Sequence, residues 1–166
     1  MDYRVNEEAP YEMTAMQKAW KILRAAKKGT RVVAIIPPAV RTAIGEYFAF
    51  ARGEDAFGKI AAALREIGAD VVADGALGTD FAVGKAAKTL SERLTSGEKL
   101  PLVLSSPAWA EAMKEKYPEA AENVAVFTPA LQFAALIRKY FNALGDGKKT
   151  KVIIVAPCKV ESEEDI

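Results

Sequence analysis

Five consecutive apolar residues, VVAII at positions 32–36, constrain this chain more than any other feature. Four of the five are β-branched, which favours an extended backbone. The run does not alternate. A strand with one wet face carries a polar residue at every second position, so an unbroken run implies cover on both faces. That arrangement belongs to parallel sheets held between layers of helix. A second run, VIIVA at 152–156, has the same character.

The segments between these runs supply the helices. MTAMQKAWKILRAAKK (13–28) repeats Met13, Met16, Trp20 and Leu23 at three- and four-residue spacing, with Gly29 as its stop. Pro37 and Pro38 end the first strand, and AVRTAIGEYFAFA (39–51) reads as a helix. DAFGKIAAALREIG (55–68) carries Phe57, Ile60, Leu64 and Ile67 on one stripe. ADVVADG (69–75) reads as a short strand and TDFAVGKAAKTLSERLTSG (79–97) as a helix. LPLVLSS (100–106) is a strand, and PAWAEAMKEKY (107–117) a helix with Pro107 in its first turn. NVAVFT (123–128) is a strand and PALQFAALIRKYFNALG (129–145) a helix. Alternation of this kind predicts an α/β domain: an open, mostly parallel four- to five-stranded sheet with helices on both faces. Crossovers are expected to be right-handed. The chain divides into a loose N-terminal arm (1–12), a single lobe (13–160) and an acidic C-terminal tail (161–166).

Composition narrows the chemistry. A length of 166 residues fits one domain, and a net charge of +1 points to neither nucleic acid nor an anionic membrane. No apolar run approaches the roughly 18 residues of a membrane span. The opening MDYRVNEEAPYEM is polar and acidic, unlike a signal peptide, so a cytoplasmic location is expected. The single cysteine, Cys158, excludes an internal disulfide. There is no histidine, which removes imidazole triads and histidine zinc sites. Catalysis would need carboxylates, lysine, the thiol or a cofactor.

Ligands of open α/β sheets bind beyond the C-terminal ends of the strands. The segments there are PPAV, DGALGTDF, SSPAW, TPALQ and APCKVE. None carries a GxGxxG or GxxxxGK[ST] pattern, so nucleotide binding has no motif behind it. Ser105 and Ser106 could include a nucleophile, but no activating base is adjacent in sequence. Capping of the helix opened by Pro107 is the preferred reading. Cys158, after Pro157, reads as a small buried hydrophobe rather than a reactive thiol. Lys159 would lower its pKa, while Glu161, Glu163 and Glu164 would raise it. The tail ESEEDI reads as a solvated acidic end rather than a cation site. Trp20 and Trp109 are expected in the core.

Taken in order, these junctions resemble the first half of the catalytic, H-cluster domain of [FeFe]-hydrogenases, from about Met16 to Glu161. VVAIIPPAVRTAIGEYF is similar to that family's strand followed by Pro-Ala-Val-Arg-x-Ala-x-Gly-Glu. GKIAAALREIGADVVADGALGTDF resembles its Gly-Lys-x-x-x-Ala-Leu-Arg-x-x-Gly helix with the strand and Asp-rich turn after it. LPLVLSSPAWAEAMKEKYPE resembles the stretch carrying Thr-Ser-Cys-Cys-Pro-x-Trp. TPALQFAALIRKYF resembles the Ser-Pro-Gln-Gln-Met-Phe-Gly helix, and VIIVAPCKVE the Met-Pro-Cys-x-x-Lys motif.

The resemblance implies a site whose residues have changed. Ser105 and Ser106 stand where the family has a cluster-ligating cysteine and a proton-relaying cysteine. A serine hydroxyl is a hard ligand with far too high a pKa for either task. Cys158 is retained, but Ala156 replaces the methionine and Glu161 the lysine. Ala86 and Thr89 occupy the places of two proton-path glutamates, and Ala130 and Leu131 those of the glutamine pair. The likeness stops where the family's second lobe, with the last two cysteine ligands, begins. Scattered losses favour natural divergence over engineered Cys→Ser substitution. The implied protein is a non-catalytic iron-hydrogenase-like lobe acting as a structural or accessory subunit. It would have no catalytic residues and no cofactor, and its vestigial site would be Ser105, Ser106, Pro107, Pro157 and Cys158. Its expected partner is a hydrogenase-related subunit or a second copy, docked on the strand C-terminal edge; no nucleic acid or membrane is expected. The alternative is a redox or metal-binding protein holding iron through Cys158 at a dimer interface. An enzyme using Asp74, Asp80 or Lys159 ranks last.

Overall fold

The computed structural model describes residues 14–25, 29–99, 101–105 and 107–156. The expected arm and tail lie outside them. The first helix, α1 (Ala15–Ala25), is opened by a reciprocal cap. The Gln17 N–H donates to Thr14 Oγ1 at 3.3 Å, and the Thr14 N–H donates to Gln17 Oε1 at 2.8 Å. Then follow β1 (Thr30–Ile36), α2 (Pro38–Ala43), α3 (Phe57–Glu66), β2 (Val71–Asp74), α4 (Ala76–Thr95) and β3 (Leu102–Leu104). The rest comprises α5 (Pro107–Lys116), α6 (Pro118–Ala121), β4 (Val124–Val126), α7 (Pro129–Ala143) and β5 (Lys149–Ile154).

β1 is the central strand, between β2 and β5, and both pairings are parallel. Val32 to Ile36 have no solvent exposure, as their unbroken apolar run requires. Odd-numbered Val33 and Ile35 meet Phe133, Ala134 and Ile137 of α7. Even-numbered Val32, Ala34 and Ile36 meet Leu23 of α1 and, through Val72, Ala61 and Leu64 of α3. Helices thus cover both faces. The five parallel strands nevertheless form two sheets, because β3 and β4 pair only with each other. Each is three residues long and adds few ladder bonds. Arg93 of α4 grips Glu98 through Nε at 2.6 Å and through Nη2, and its Nη1 donates to the Leu102 carbonyl at 3.4 Å. That grip fixes where β3 begins.

Three local expectations change. The helix over 39–51 stops at Ala43 and tightens into a 3₁₀ turn, Ile44–Phe48. Ala49 then adopts a left-handed φ of 59°, and the Phe50 N–H returns to the Gly45 carbonyl. α4 starts at Ala76, earlier than the sequence pattern suggests, because Asp74 Oδ1 accepts the Ala76 N–H at 2.9 Å. Ile67 lies in the turn after α3 and is half exposed, so the buried stripe of that helix ends at Leu64.

Candidate functional site

Parallel pairing brings the C-terminal ends of β1, β2 and β5 together. Ile36 pairs with Asp74, and Ile35 with Ile154. The Gly75 N–H donates to the Ile36 carbonyl at 2.8 Å, and the Val155 N–H to the Ile35 carbonyl at 3.0 Å. The β1 and β2 exits almost touch. A Cβ on Gly75 would lie 2.9 Å from Pro37 Cα and 3.0 Å from the Ile36 oxygen, so this crossing admits only glycine. Three residues on, a Cβ at Gly78 would lie 2.6 Å from Phe133 Cβ, which seats the first turns of α4 and α7 against each other.

The carboxylate at this edge is already engaged. Arg41 Nη1 meets Asp74 Oδ2 at 2.5 Å, and Arg41 Nε lies 3.5 Å from Asp55 Oδ2. The other Asp74 oxygen caps α4. Asp74 therefore ties α2 to the end of β2 and is not a free acid or base. Asp80 is exposed on α4, and Lys159 lies outside the described residues.

Ser105 follows β3 and is exposed. Among the described residues, no hydrogen bond reaches its hydroxyl. Ser106, Pro157 and Cys158 lie outside the described residues, while Pro107 opens α5. Ser105 follows β3 of the smaller sheet, whereas Ala156 lies just beyond β5 of the larger one. Ala86 and Thr89 sit half-buried along α4, and Ala130 and Leu131 in the first turn of α7. The chemistry of these donors does not suit an iron–sulfur cluster, which takes thiolates. The described strand ends present hydroxyl oxygen, proline, glycine and a neutralised carboxylate. Among the described residues no three His, Cys, Asp or Glu side chains gather to hold a metal.

Shifted titrations occur elsewhere. Hydrogen bonding from Arg93 holds the Glu98 carboxyl below its ordinary range, and bonds from Arg31 and the Lys148 N–H do the same for Asp146. Arg31 also stacks on Phe141, 4.3 Å from the ring centre. Glu98 and Asp146 precede β3 and β5, at the opposite end from the strand exits. Catalytic groups with perturbed titration concentrate at functional clefts; these two serve the frame.

What the strand exits do present is apolar surface. Trp109, in the first turn of α5, is 67% exposed, so it is not the core residue that its helical spacing suggested. Leu77, in the first turn of α4, is 59% exposed. Tyr47 and Phe48, in the 3₁₀ turn, are 88% and 67% exposed. The loop that follows this turn comes back to α2, where the Ala56 N–H donates to the Arg41 carbonyl at 2.9 Å. Trp20 of α1 is also partly exposed, at 43%. Tyr47, Phe48 and Leu77 were not legible as surface from spacing, since apolar residues inside helical patterns read as core.

A parallel α/β layer with proline- and glycine-lined strand exits defines the class of the domain. Its family follows from comparison: residues 30–165 match the iron only hydrogenase large subunit, C-terminal domain, and the chain belongs to that family. Iron hydrogenase 1 of Clostridium pasteurianum is 30% identical over 151 residues, covering 89% of this chain and 26% of that protein. The NADP-reducing hydrogenase subunit HndD of Solidesulfovibrio fructosivorans is 28% identical over 156 residues, covering 87% of this chain and 27% of that protein. A variant of the [FeFe]-hydrogenase HydA1 from Chlamydomonas reinhardtii superposes with a TM-score of 0.75 and 28% identity, over 89% of this chain and 38% of that one. The chain thus spans about a quarter of the curated relatives that it matches.

Proposed function

We propose that this chain is a non-catalytic iron-hydrogenase-like lobe that works as a structural or accessory module, docking a protein partner on the C-terminal edge of its strands. The observation that carries the reading is that Tyr47, Phe48, Leu77 and Trp109, in the segments that follow β1, β2 and β3, are exposed apolar side chains. Exposed apolar groups concentrated in one region mark contact surfaces. Ser105 supports it from the chemical side: an oxygen replaces a thiolate where the family resemblance puts a cluster ligand. A hydrogenase-related subunit or a second copy of the chain fits the apolar character of the edge. The second reading, iron held through Cys158 between two chains, is favoured by membership of an iron-protein family.

Measuring iron and sulfide per chain, after anaerobic purification and attempted cluster reconstitution, separates the two. The module reading expects values near zero in both the natural chain and Cys158→Ser. Stoichiometric iron that disappears in Cys158→Ser would overturn it. Sedimentation of the chain, alone and with hydrogenase subunits, tests the docking itself. Tyr47→Ser with Trp109→Ser should abolish association without altering the circular dichroism spectrum. A chain that stays monomeric and binds no such subunit would refute the docking.

A further inference from the structure

α1 carries a surface that the strand-edge reading does not use. Leu23 and Ile22 anchor the helix against the sheet. Its outer side is a shallow hollow lined by Gln17, Trp20, Lys21 and Arg24. The charges of Ala15–Ala25 are all positive: Lys18, Lys21 and Arg24, with no acid among them. All three are exposed. Glu66 and Asp70 of the body share a second hollow with Arg24 and Arg65, at the C-terminal end of this face. Met16 and Trp20 of the same helix are exposed.

We propose that this face of α1 is a binding surface for an acidic, tyrosine-containing segment, and that its occupant is the chain's own residues 1–13. Three observations favour that occupant. The first is charge: the segment MDYRVNEEAPYEM carries Asp2, Glu7, Glu8 and Glu12 against a single Arg4. It also brings Tyr3, Val5 and Tyr11 to pair with Trp20 and Met16. The second is the anchoring point. The reciprocal Thr14–Gln17 cap closes the first turn of α1 at Thr14, which fixes the point from which residues 1–13 are tethered. The third is reach. Glu7 and Glu8 lie seven and six residues before Thr14, an extended span of roughly 20 Å at about 3.3 Å per residue. Lys21 and Arg24 lie roughly 10–15 Å along the helix from Thr14 at about 1.5 Å per residue. A chain that turns back along the helix at Thr14 is therefore long enough to set Glu7 and Glu8 beside Lys21 and Arg24. The tether supplies an effective concentration of about millimolar or more, which lets individually weak contacts add.

The experiment uses the full chain with Trp109→Phe, so that Trp20 is the sole tryptophan. Acrylamide quenching of Trp20 is compared with that in a chain lacking residues 2–13 and in Glu7→Lys/Glu8→Lys/Glu12→Lys. The expected result is a quenching constant at least twofold larger in both variants, and in the full chain at 0.5 M salt, where exposed charge pairs are screened. Adding the Lys18→Glu/Lys21→Glu/Arg24→Glu set to the triple-lysine variant should restore the protection. A free peptide of residues 1–13 should protect Trp20 of the shortened chain. Equal quenching in all chains, or failure of the charge swap to restore protection, would overturn the proposal. So would binding of phosphatidylserine vesicles to α1 by the full chain as well as by the shortened one, since the face would then be free. Far-ultraviolet circular dichroism confirms that each variant is folded.

Discussion

The crossing of α4 and α7 makes a sharp prediction, because α4 contains its own control. A Cβ at Gly78 would stand 2.6 Å from Phe133 Cβ and 3.0 Å from the Pro129 oxygen. Ordinary carbon contacts lie at about 3.5–4.0 Å, so roughly 1 Å must be found. Neither opposing atom is the free end of a side chain; both ride on α7. Gly78→Ala must therefore move α7 itself, which loosens Phe133, Ala134 and Ile137 from Val33 and Ile35. A gap of 0.5–1 Å forfeits about a quarter to a half of each dispersion contact, and overpacking of this severity costs about 2–3 kcal/mol. The alanine returns about 1 kcal/mol of helix propensity. The net expectation is destabilisation by about 1–2 kcal/mol. Gly84, two turns further along the same helix, has nothing within 4 Å of the corresponding Cβ position. Gly84→Ala should therefore stabilise the fold by about 0.5–1 kcal/mol. Urea titration followed by circular dichroism reads both variants against the natural chain. The two should separate by about 2–3 kcal/mol with opposite signs. If Gly78→Ala stabilises as much as Gly84→Ala, the close approach of α4 and α7 is refuted.

Other consequences follow from the same frame. Ile35→Ala removes most of a side chain with no exposure at the centre of the sheet and should cost about 2–5 kcal/mol in the same titration; a loss below about 1 kcal/mol would contradict burial on both faces. The Glu98 and Asp146 carboxyls titrate below their ordinary 4.5 and 3.8 in the folded chain, so the unfolded chain binds more protons in acid. Their stabilisation is complete above those ordinary values and is lost as pH falls through the lowered folded ones. Urea midpoints measured from pH 6 to pH 3 should fall, and Glu98→Gln should make that fall shallower; an unchanged slope would refute the Arg93–Glu98 contribution.

Much of the fold was legible because its signals are local. The unbroken apolar run at 32–36 reports cover on both faces, and the central, fully buried β1 answers it. Proline placement marked the entries of α2, α5 and α7, where a missing N–H costs nothing. The ordered series of motifs reported the family, and the match over residues 30–165 agrees. The candidate site rested in the sequence on the strand exits, where Ser105 and Ser106 stand, and on a composition without histidine.

The rest depended on contacts between residues distant in sequence. That Asp74 is a fastener and not a free acid is decided by Arg41, thirty-three positions earlier, which α2 swings onto the end of β2. That Trp109 and Leu77 face outward is decided by which side of α5 and α4 the neighbouring elements leave uncovered. Helical spacing alone cannot tell a covered apolar stripe from an uncovered one. The split of the strands into two sheets likewise reflects pairing partners, and pairing is a property of assembled backbones. Sequence by itself determined the alternation of elements and the buried central strand, because each is carried by the chemistry of adjacent residues. Tertiary structure alone decided which carboxylates are engaged and which apolar side chains remain exposed, because those outcomes depend on the groups that folding brings against them.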